Sequence, residues 1–166
     1  MSDDFLTLEV SRASRRFKRG AHASELEDSF RCIHCRATVS TAPWLSGVQN
    51  RNHCPYCLWS RHLDEFQPGD RLACCRGPME PAGLTIKRAV KKYGGAGELM
   101  LIHACRDCSR VSINRIAADD VPEALLDVFE RSLSPSSGFT GRIAQEDILP
   151  LGRADAALVR ARLFGL

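Results

Sequence analysis

Residues 51–64 read RNHCPYCLWSRHLD, and these fourteen positions hold two cysteines, two histidines, two arginines and a tryptophan. The spacing C-x-x-C in this stretch occurs three times along the chain, at Cys32/Cys35, Cys54/Cys57 and Cys105/Cys108. A tight turn at each pair brings two sulfurs and several backbone N–H groups close together, which suits a metal ion. The stretch therefore predicts a fold organised around bound metal.

The expected cellular environment supports that interpretation. The chain has no apolar run near eighteen residues, and its first twenty residues lack the apolar core of a secretory signal. We therefore expect a cytoplasmic protein with no membrane contact, in which the eight cysteines stay reduced. Under reducing conditions, three C-x-x-C pairs favour metal sites over disulfides.

Two zinc sites are expected. The first two pairs have the spacing of a structural zinc ribbon, with eighteen residues between them. The third pair needs further ligands, which are Cys74 or Cys75 and one histidine among His53, His62 and His103. His103 would share a strand face with Cys105, whereas His62 follows Cys57 at the spacing of a short knuckle.

Two partitions of these ligands fit the spacing. In the sequential partition, which we favour, the first and second pairs hold one zinc and the third pair belongs to the other. In the interleaved partition, the second pair joins His62 and Cys75 while the first pair joins the third. Either partition supplies enough donors to close both sites, and the H-E-x-x-H motif is lacking. An enzyme using zinc-bound water or the Cys74 thiol is therefore a minor alternative.

Charge is unevenly distributed along the chain. Residues 30–118 carry thirteen basic and six acidic side chains, whereas residues 119–166 carry five and eight. Thiolate ligands around zinc would lower the central charge but leave it positive. A basic centre and an arginine-rich arm favour binding to nucleic acid. The side chains predicted to contact it are Arg12, Arg15, Arg16, Lys18 and Arg19 in the arm, and Arg51, Asn52, His53, Lys87, Arg88, Lys91 and Lys92 in the centre.

Several of these residues have a structural alternative. Trp44 and Trp59 could stack on unpaired bases, although a place in the core is the more ordinary role for Trp59. Arg51 could contact phosphate or could pair with Asp119 or Asp120 inside the fold. The sequence leaves both alternatives open.

Three segments carry a family resemblance: residues 51–64, PGDRLACCRGPMEP at 68–81, and HACRDCSRVSINRIAADD at 103–120. Over residues 30–130 they resemble the bacterial RNHCP-domain family, which is named for the residues found here at 51–55. The resemblance implies a small zinc-binding domain. Its C-x-G-x-M-x-P element begins at Cys75, which implies that Cys75 rather than Cys74 is a ligand. Its H-x-C-x-x-C and N-R-x-A-x-D-D elements match residues 103–108 and 114–120.

These observations predict a small α+β protein with a β-rich, zinc-ribbon-like core, two zinc sites and C-terminal helices. The expected organisation is a basic extension at 1–29, a zinc-binding domain at 30–120 and a helical extension at 121–166. The predicted ligands are Cys32, Cys35, Cys54, Cys57, Cys75, Cys105, Cys108 and His62. The expected function is a structural zinc module that binds RNA, in association with the ribosome. The alternative is an adaptor that binds a protein partner through its C-terminal helices.

Overall fold

Two antiparallel sheets form the framework of the computed structural model, which describes residues 29–87, 97–134, 143 and 147–165. The smaller sheet pairs β1 (Ser29–Arg31) with β2 (Thr38–Ser40). The larger sheet consists, in spatial order, of β3 (Ser60–Arg61), β4 (Pro78–Lys87), β5 (Glu98–Cys105) and β6 (Val111–Arg115). The helices in the described part are α1 (Pro43–Ser46), α2 (Pro122–Ser132) and α3 (Ala156–Phe164).

The β4–β5 hairpin is the longest pairing in the structure. Its register runs from Lys87 opposite Glu98 to Met79 opposite Cys105, with a bulge between Pro81 and Gly83. Nearly all of β5 is buried, because both faces of this strand are covered. The intervening residues 88–96, which include Arg88, Lys91 and Lys92, lie outside the described residues.

Helix α2 covers one face of the sheet. Leu125, Val128 and Phe129 recur at helical spacing, and all three are buried in a core cluster with Leu84 and Leu101. Pro122 occupies the first turn of α2, where its missing N–H costs no hydrogen bond. The approach is close at Gly83, where an added Cβ would lie 3.3 Å from the Ser132 side chain. The absence of a side chain at Gly83 therefore lets α2 pack closely on β4 without displacing Ser132.

The opposite face and one edge of the sheet are also covered. Ile102 and Ala104, which alternate with the α2-facing residues of β5, form a second buried cluster with Val111 and Ile143. Along the edge of β4 beyond β3, the Leu151 N–H donates to the Leu84 carbonyl at 2.8 Å. Helix α3 follows this segment and adds buried Val159 to the first cluster. The small α+β class is thus confirmed, and its sheet is paired or packed on most sides.

None of the helices among the described residues is long and apolar enough to cross a bilayer.

Replacement of Phe129 by alanine should show how far the fold depends on α2. Phe129 is 1% exposed, so the variant should lose about 3–5 kcal/mol of the free energy of unfolding through lost burial and a cavity. The control is Phe66→Ala, because Phe66 is 85% exposed and its removal should change stability by less than about 0.5 kcal/mol. Urea denaturation followed by circular dichroism measures both, and equal losses would contradict this account of the core.

Candidate metal centres and the arginine pocket beside them

The cysteine turns share an unusual backbone conformation. Six non-glycine residues in the described part have a positive φ, and four of these directly follow a cysteine of the predicted set. They are Arg36 (φ 66°), Leu58 (φ 61°), Arg76 (φ 55°) and Ser109 (φ 64°). A left-handed conformation costs an L-residue about 1–2 kcal/mol. The cysteine turns therefore hold strain that another interaction must offset.

Backbone N–H groups in these turns point at the sulfurs. The Cys54 sulfur accepts hydrogen bonds from the N–H groups of Tyr56 and Cys57, and the Cys105 sulfur accepts two from the corresponding positions of its own turn. The His34 N–H lies 3.4 Å from the Cys32 sulfur. Donors placed in this way stabilise a thiolate over a thiol. The turns are therefore shaped for ionised cysteine, the form that binds metal.

The first cluster brings four sulfurs to a common centre. Cys32, Cys35, Cys54 and Cys57 have all their sulfurs within 4.8 Å of one another. The Cys32–Cys57 and Cys35–Cys54 sulfur separations are 3.6 and 3.5 Å. Tetrahedral bonds of about 2.3 Å would place sulfurs about 3.8 Å apart. The arrangement therefore fits one metal ion bound by four cysteines.

The acid–base properties of these thiols support the same fit. Burial raises the pKa of Cys54 to about 11 and that of Cys57 still further. Burial also opposes ionisation of Cys35, but hydrogen bonds from the Ala37 N–H and neighbouring thiols lower its pKa to about 7. Four sulfurs this close cannot all ionise without a positive charge between them. A metal ion supplies that charge.

The second cluster contains three sulfurs and one imidazole. His62, Cys75, Cys105 and Cys108 place their donor atoms within 4.8 Å of one another. The Cys75–Cys105 sulfur separation is 3.6 Å, and the His62 Nδ1 lies 3.2 Å from the Cys108 sulfur. The other nitrogen of His62 is buried and has no hydrogen-bond partner among the described residues. His62 therefore turns Nδ1 toward the cluster, which fits a metal bound by three cysteines and one histidine.

The ligands are grouped sequentially along the chain. All eight predicted ligands lie in one cluster or the other, and the interleaved partition is not the one adopted. Cys74 lies outside both clusters and is exposed. Cys75, which the family resemblance implied, contributes the sulfur instead.

His103 has a structural role that excludes it from the second cluster. Its Nε2 donates to the Leu58 carbonyl at 2.6 Å, and its Nδ1 accepts from the Asn114 amide at 2.8 Å. Complete burial, with a smaller contribution from His53, lowers the pKa of His103 to about 3. The imidazole therefore stays neutral at physiological pH and ties β5 to the second cysteine turn.

The residues around Cys54 are joined to the start of α2 through Asp120. The Asp120 carboxylate accepts hydrogen bonds from Arg51 Nη2 at 3.0 Å and from His53 Nε2 at 2.8 Å. It also accepts one from the Ala117 N–H at 2.8 Å. Arg51 donates from its other two nitrogens to Asp119 and to the His53 carbonyl. Arg51, His53 and Asp120 are all buried, so these bonds form an internal ion network.

This network corrects part of the predicted nucleic-acid surface. Arg51 and His53 were expected to contact nucleic acid, but every guanidinium nitrogen of Arg51 and the Nε2 of His53 are engaged inside the fold. The alternative pairing of Arg51 with Asp119 and Asp120 is the one observed. Lys87 is exposed at the end of β4. The predicted arm, with Arg12, Arg15, Arg16, Lys18 and Arg19, lies outside the described residues.

A cavity of about 360 Å³ lies beside the first cluster, and we call it the arginine pocket. Arg31, Arg51, Arg61 and Arg71 line it, and no carboxylate is among the described residues that do so. Its walls also include Trp59, whose ring stacks on His34 with centroids 4.4 Å apart and planes 2° from parallel. Trp59 is half-buried, whereas Trp44 projects from α1 and is 84% exposed. The pocket therefore combines positive charge with an aromatic wall.

Two carboxylates shape the loop that carries Arg71. Asp70 accepts hydrogen bonds from four backbone N–H groups of residues 65–72, which hold its pKa well below the usual range. Asp64 accepts from the N–H groups of Gly69 and Arg71. Arg71 has a positive φ of 56° and lies 3.7 Å from Asp64. In the sequence, an aspartate on each side of a Pro-Gly pair is the signal for this turn.

Removing the Asp120 carboxylate should destabilise the protein strongly. Asp120→Ala leaves Arg51 buried beside a single carboxylate, and breaking a buried ion pair in this way costs about 3–5 kcal/mol. The matched control is Asp127→Ala on the exposed face of α2, which should cost less than about 0.5 kcal/mol. Urea denaturation measures both variants, and an Asp120→Ala protein as stable as the control would refute the structural role of the network.

Comparison with family models places the two clusters in a known context. The RNHCP domain model matches residues 27–126, which contain both clusters and the Asp120 network. Comparison with curated proteins and with solved structures gave no match. Because the match covers more than half of the chain, this protein belongs to the RNHCP domain family.

Proposed function

We propose that this protein is a structural zinc module that binds RNA through the arginine pocket. The two clusters supply the frame, and the pocket supplies the contact surface. The proposal places the chain in the cytoplasm, where its thiols stay reduced, and ribosomal RNA is the RNA we expect it to meet. The charge and aromatic lining of the pocket is the observation that carries the RNA proposal.

Zinc is the metal that best suits both donor sets. Four cysteines in one cluster, and three cysteines with one histidine in the other, are the usual ligands of structural zinc. Four protein donors fill a tetrahedral site, so neither cluster keeps the open position that a catalytic zinc uses for water. This favours a structural role over the enzyme alternative.

The charges around the pocket favour a polyanion. Arg31 and Arg61 are exposed, and neither pairs with a carboxylate among the described residues. Two exposed arginines outside the pocket differ, because Arg106 and Arg160 each lie 2.8 Å from a glutamate. The positive charge of Arg31 and Arg61 is therefore left uncompensated by the described carboxylates, unlike that of Arg106 and Arg160. Phosphates of an RNA strand would meet that charge while unpaired bases meet the aromatic wall.

The C-terminal helices support the adaptor alternative less well. Val159 of α3 is buried in the core cluster, and Ala156 and Leu163 pack against the same cluster. The apolar side of α3 is thus already used inside the protein. Leu158 and Phe164 are exposed at about the level of an ordinary surface side chain.

The metal content of cysteine variants should test the zinc proposal. The purified protein should contain two zinc ions per chain by elemental analysis, and Cys54→Ser should retain one. Cys74→Ser is the matched control and should retain both, because Cys74 lies outside the clusters. Removal of zinc by a strong chelator should unfold the protein, since binding and folding are coupled at such sites. An unchanged circular-dichroism spectrum after complete zinc removal would contradict this proposal.

Salt dependence should test the RNA proposal. If Arg31, Arg61 and Arg71 each neutralise one phosphate, the logarithm of the binding constant should fall with the logarithm of salt concentration at a slope of about −2. Fluorescence anisotropy with a labelled single-stranded RNA, from about 50 mM to about 200 mM salt, measures this slope. Arg31→Ala/Arg61→Ala should reduce it to about −0.7.

The control for that experiment removes the same charge elsewhere. Arg106→Ala/Arg160→Ala deletes two exposed arginines that do not line the pocket, so the net charge of the two double variants is equal. The control should keep the parental slope. A slope near zero in the parent, or equal losses in both double variants, would argue that the pocket does not bind RNA.

A further inference from the structure

We propose that the arginine pocket receives one unpaired nucleotide of an RNA strand, and that Asn52 recognises the edge of its base. This inference rests on the proposed RNA-binding function and names the form of RNA that the pocket accepts. Three features of the described residues carry it: the size of the pocket, the orientation of Trp59 and the placement of Asn52.

The size of the pocket suits a single nucleotide. Its volume of about 360 Å³ falls at the lower end of the range for small-ligand sites, which is about 300–1,000 Å³. A base inside a duplex cannot enter a concave site without leaving the stack. An unpaired base is already free to do so, and most sequence-specific RNA recognition uses such bases. The pocket therefore selects for single-stranded RNA.

Trp59 offers a pre-oriented stacking surface. The parallel contact with His34 fixes the plane of the indole, and the indole itself forms part of the pocket wall. The backbone that carries this ring is also anchored. The Trp59 carbonyl accepts a hydrogen bond from the Cys54 N–H, and the next residue, Ser60, donates from its Oγ to the Asn52 carbonyl. A ring held in this way loses little conformational freedom when a base stacks on it.

Asn52 is the polar side chain placed to read the base. It lines the arginine pocket, and its amide forms no hydrogen bond with another described residue. Its neighbours Arg51 and His53 are both buried and bonded to Asp120. An asparagine amide has one acceptor and two donors, which is the pattern needed to distinguish base edges. Within the RNH segment, arginine and histidine therefore act as anchors that present the asparagine.

The phosphate of the same nucleotide is assigned to Arg31 and Arg61. Both lie on the pocket wall with Trp59, whereas the charge of Arg51 is already balanced by Asp119 and Asp120. Arg71 adds a third positive charge from the loop shaped by Asp64 and Asp70. The three arginines thus line the same cavity as the indole on which the base would stack.

Tryptophan fluorescence of a Trp44→Phe variant tests the stacking. Trp44 is exposed, so the substitution should leave the fold intact and make Trp59 the sole tryptophan. Single-stranded RNA should quench the emission, and an RNA duplex of equal length should not. This measurement keeps Asn52 and so remains decisive even where an Asn52 variant fails to fold. Quenching by the duplex equal to that by the single strand would overturn the inference.

Base selectivity tests the role of Asn52. The affinities for single-stranded homopolymers of the four bases should differ. Asn52→Ala should lower the affinity for the preferred homopolymer about 5- to 150-fold and reduce the differences in affinity among the four. Gln49→Ala removes another exposed amide of the same segment that does not line the pocket, and it should change neither. Equal effects of the two variants would overturn the inference.

The outcomes separate this inference from the proposed function. Single-stranded and duplex RNA could bind equally, with salt dependence, and Arg31→Ala/Arg61→Ala could weaken both. That result would support the proposed RNA-binding function but reject the single-nucleotide pocket. Absence of binding to either RNA would reject both. A free nucleoside monophosphate that binds as tightly as the strand would assign the pocket to a small molecule and would also reject the inference.

Discussion

The carboxylate of Asp120 is the point on which the arrangement of the sheet, the second cysteine turn and α2 depends. Its two oxygens accept from Arg51, His53 and the Ala117 N–H, so one buried group joins residues 51–53 to residues 117–120. Nearby, the Val121 N–H donates to the Pro55 carbonyl and the Ala118 N–H to the Ser46 carbonyl. A buried ion network rarely adds much net stability, but it strongly penalises any arrangement that leaves a charge unpaired. Here the network restricts residues 51–53 and 117–120 to one relative arrangement.

Metal bound at the two centres would stabilise a different part of the fold, namely the cysteine turns. The core beneath the first cluster is small, with Val39 as the main buried side chain beside Cys32 and Cys54. Residues such as Arg36 and Leu58 adopt a costly backbone conformation at the ends of the turns. A metal ion bound by the four sulfurs would offset that cost, whereas the apolar cluster beneath them is small. The opposite holds around α2, where Leu125 and Phe129 sit in the main core.

Much of this structure could be predicted from local spacing and charge, because both depend only on residues close together in the sequence. The C-x-x-C turns followed from such patterns, and the family resemblance singled out Cys75. The exclusion of His103 from the second cluster could not be predicted, because it depends on tertiary contacts rather than on local spacing. Strand periodicity places His103 on the same face as Cys105, but His103 instead reaches the Leu58 carbonyl from a distant segment. The Asp120 network was left as an alternative for the same reason, since it joins residues nearly seventy positions apart.

The sequential order of the ligands has a consequence for assembly. The first centre closes a chain segment between positions 25 apart, and the second closes one between positions 46 apart. Chain entropy alone separates these closures by only about 0.5 kcal/mol. What differs is the content of each closed segment, since the first contains only the short β2 and α1 while the second contains β4 and β5. One bound ion would therefore order a segment with little regular structure, and the other would join the ends of a hairpin that already has a core.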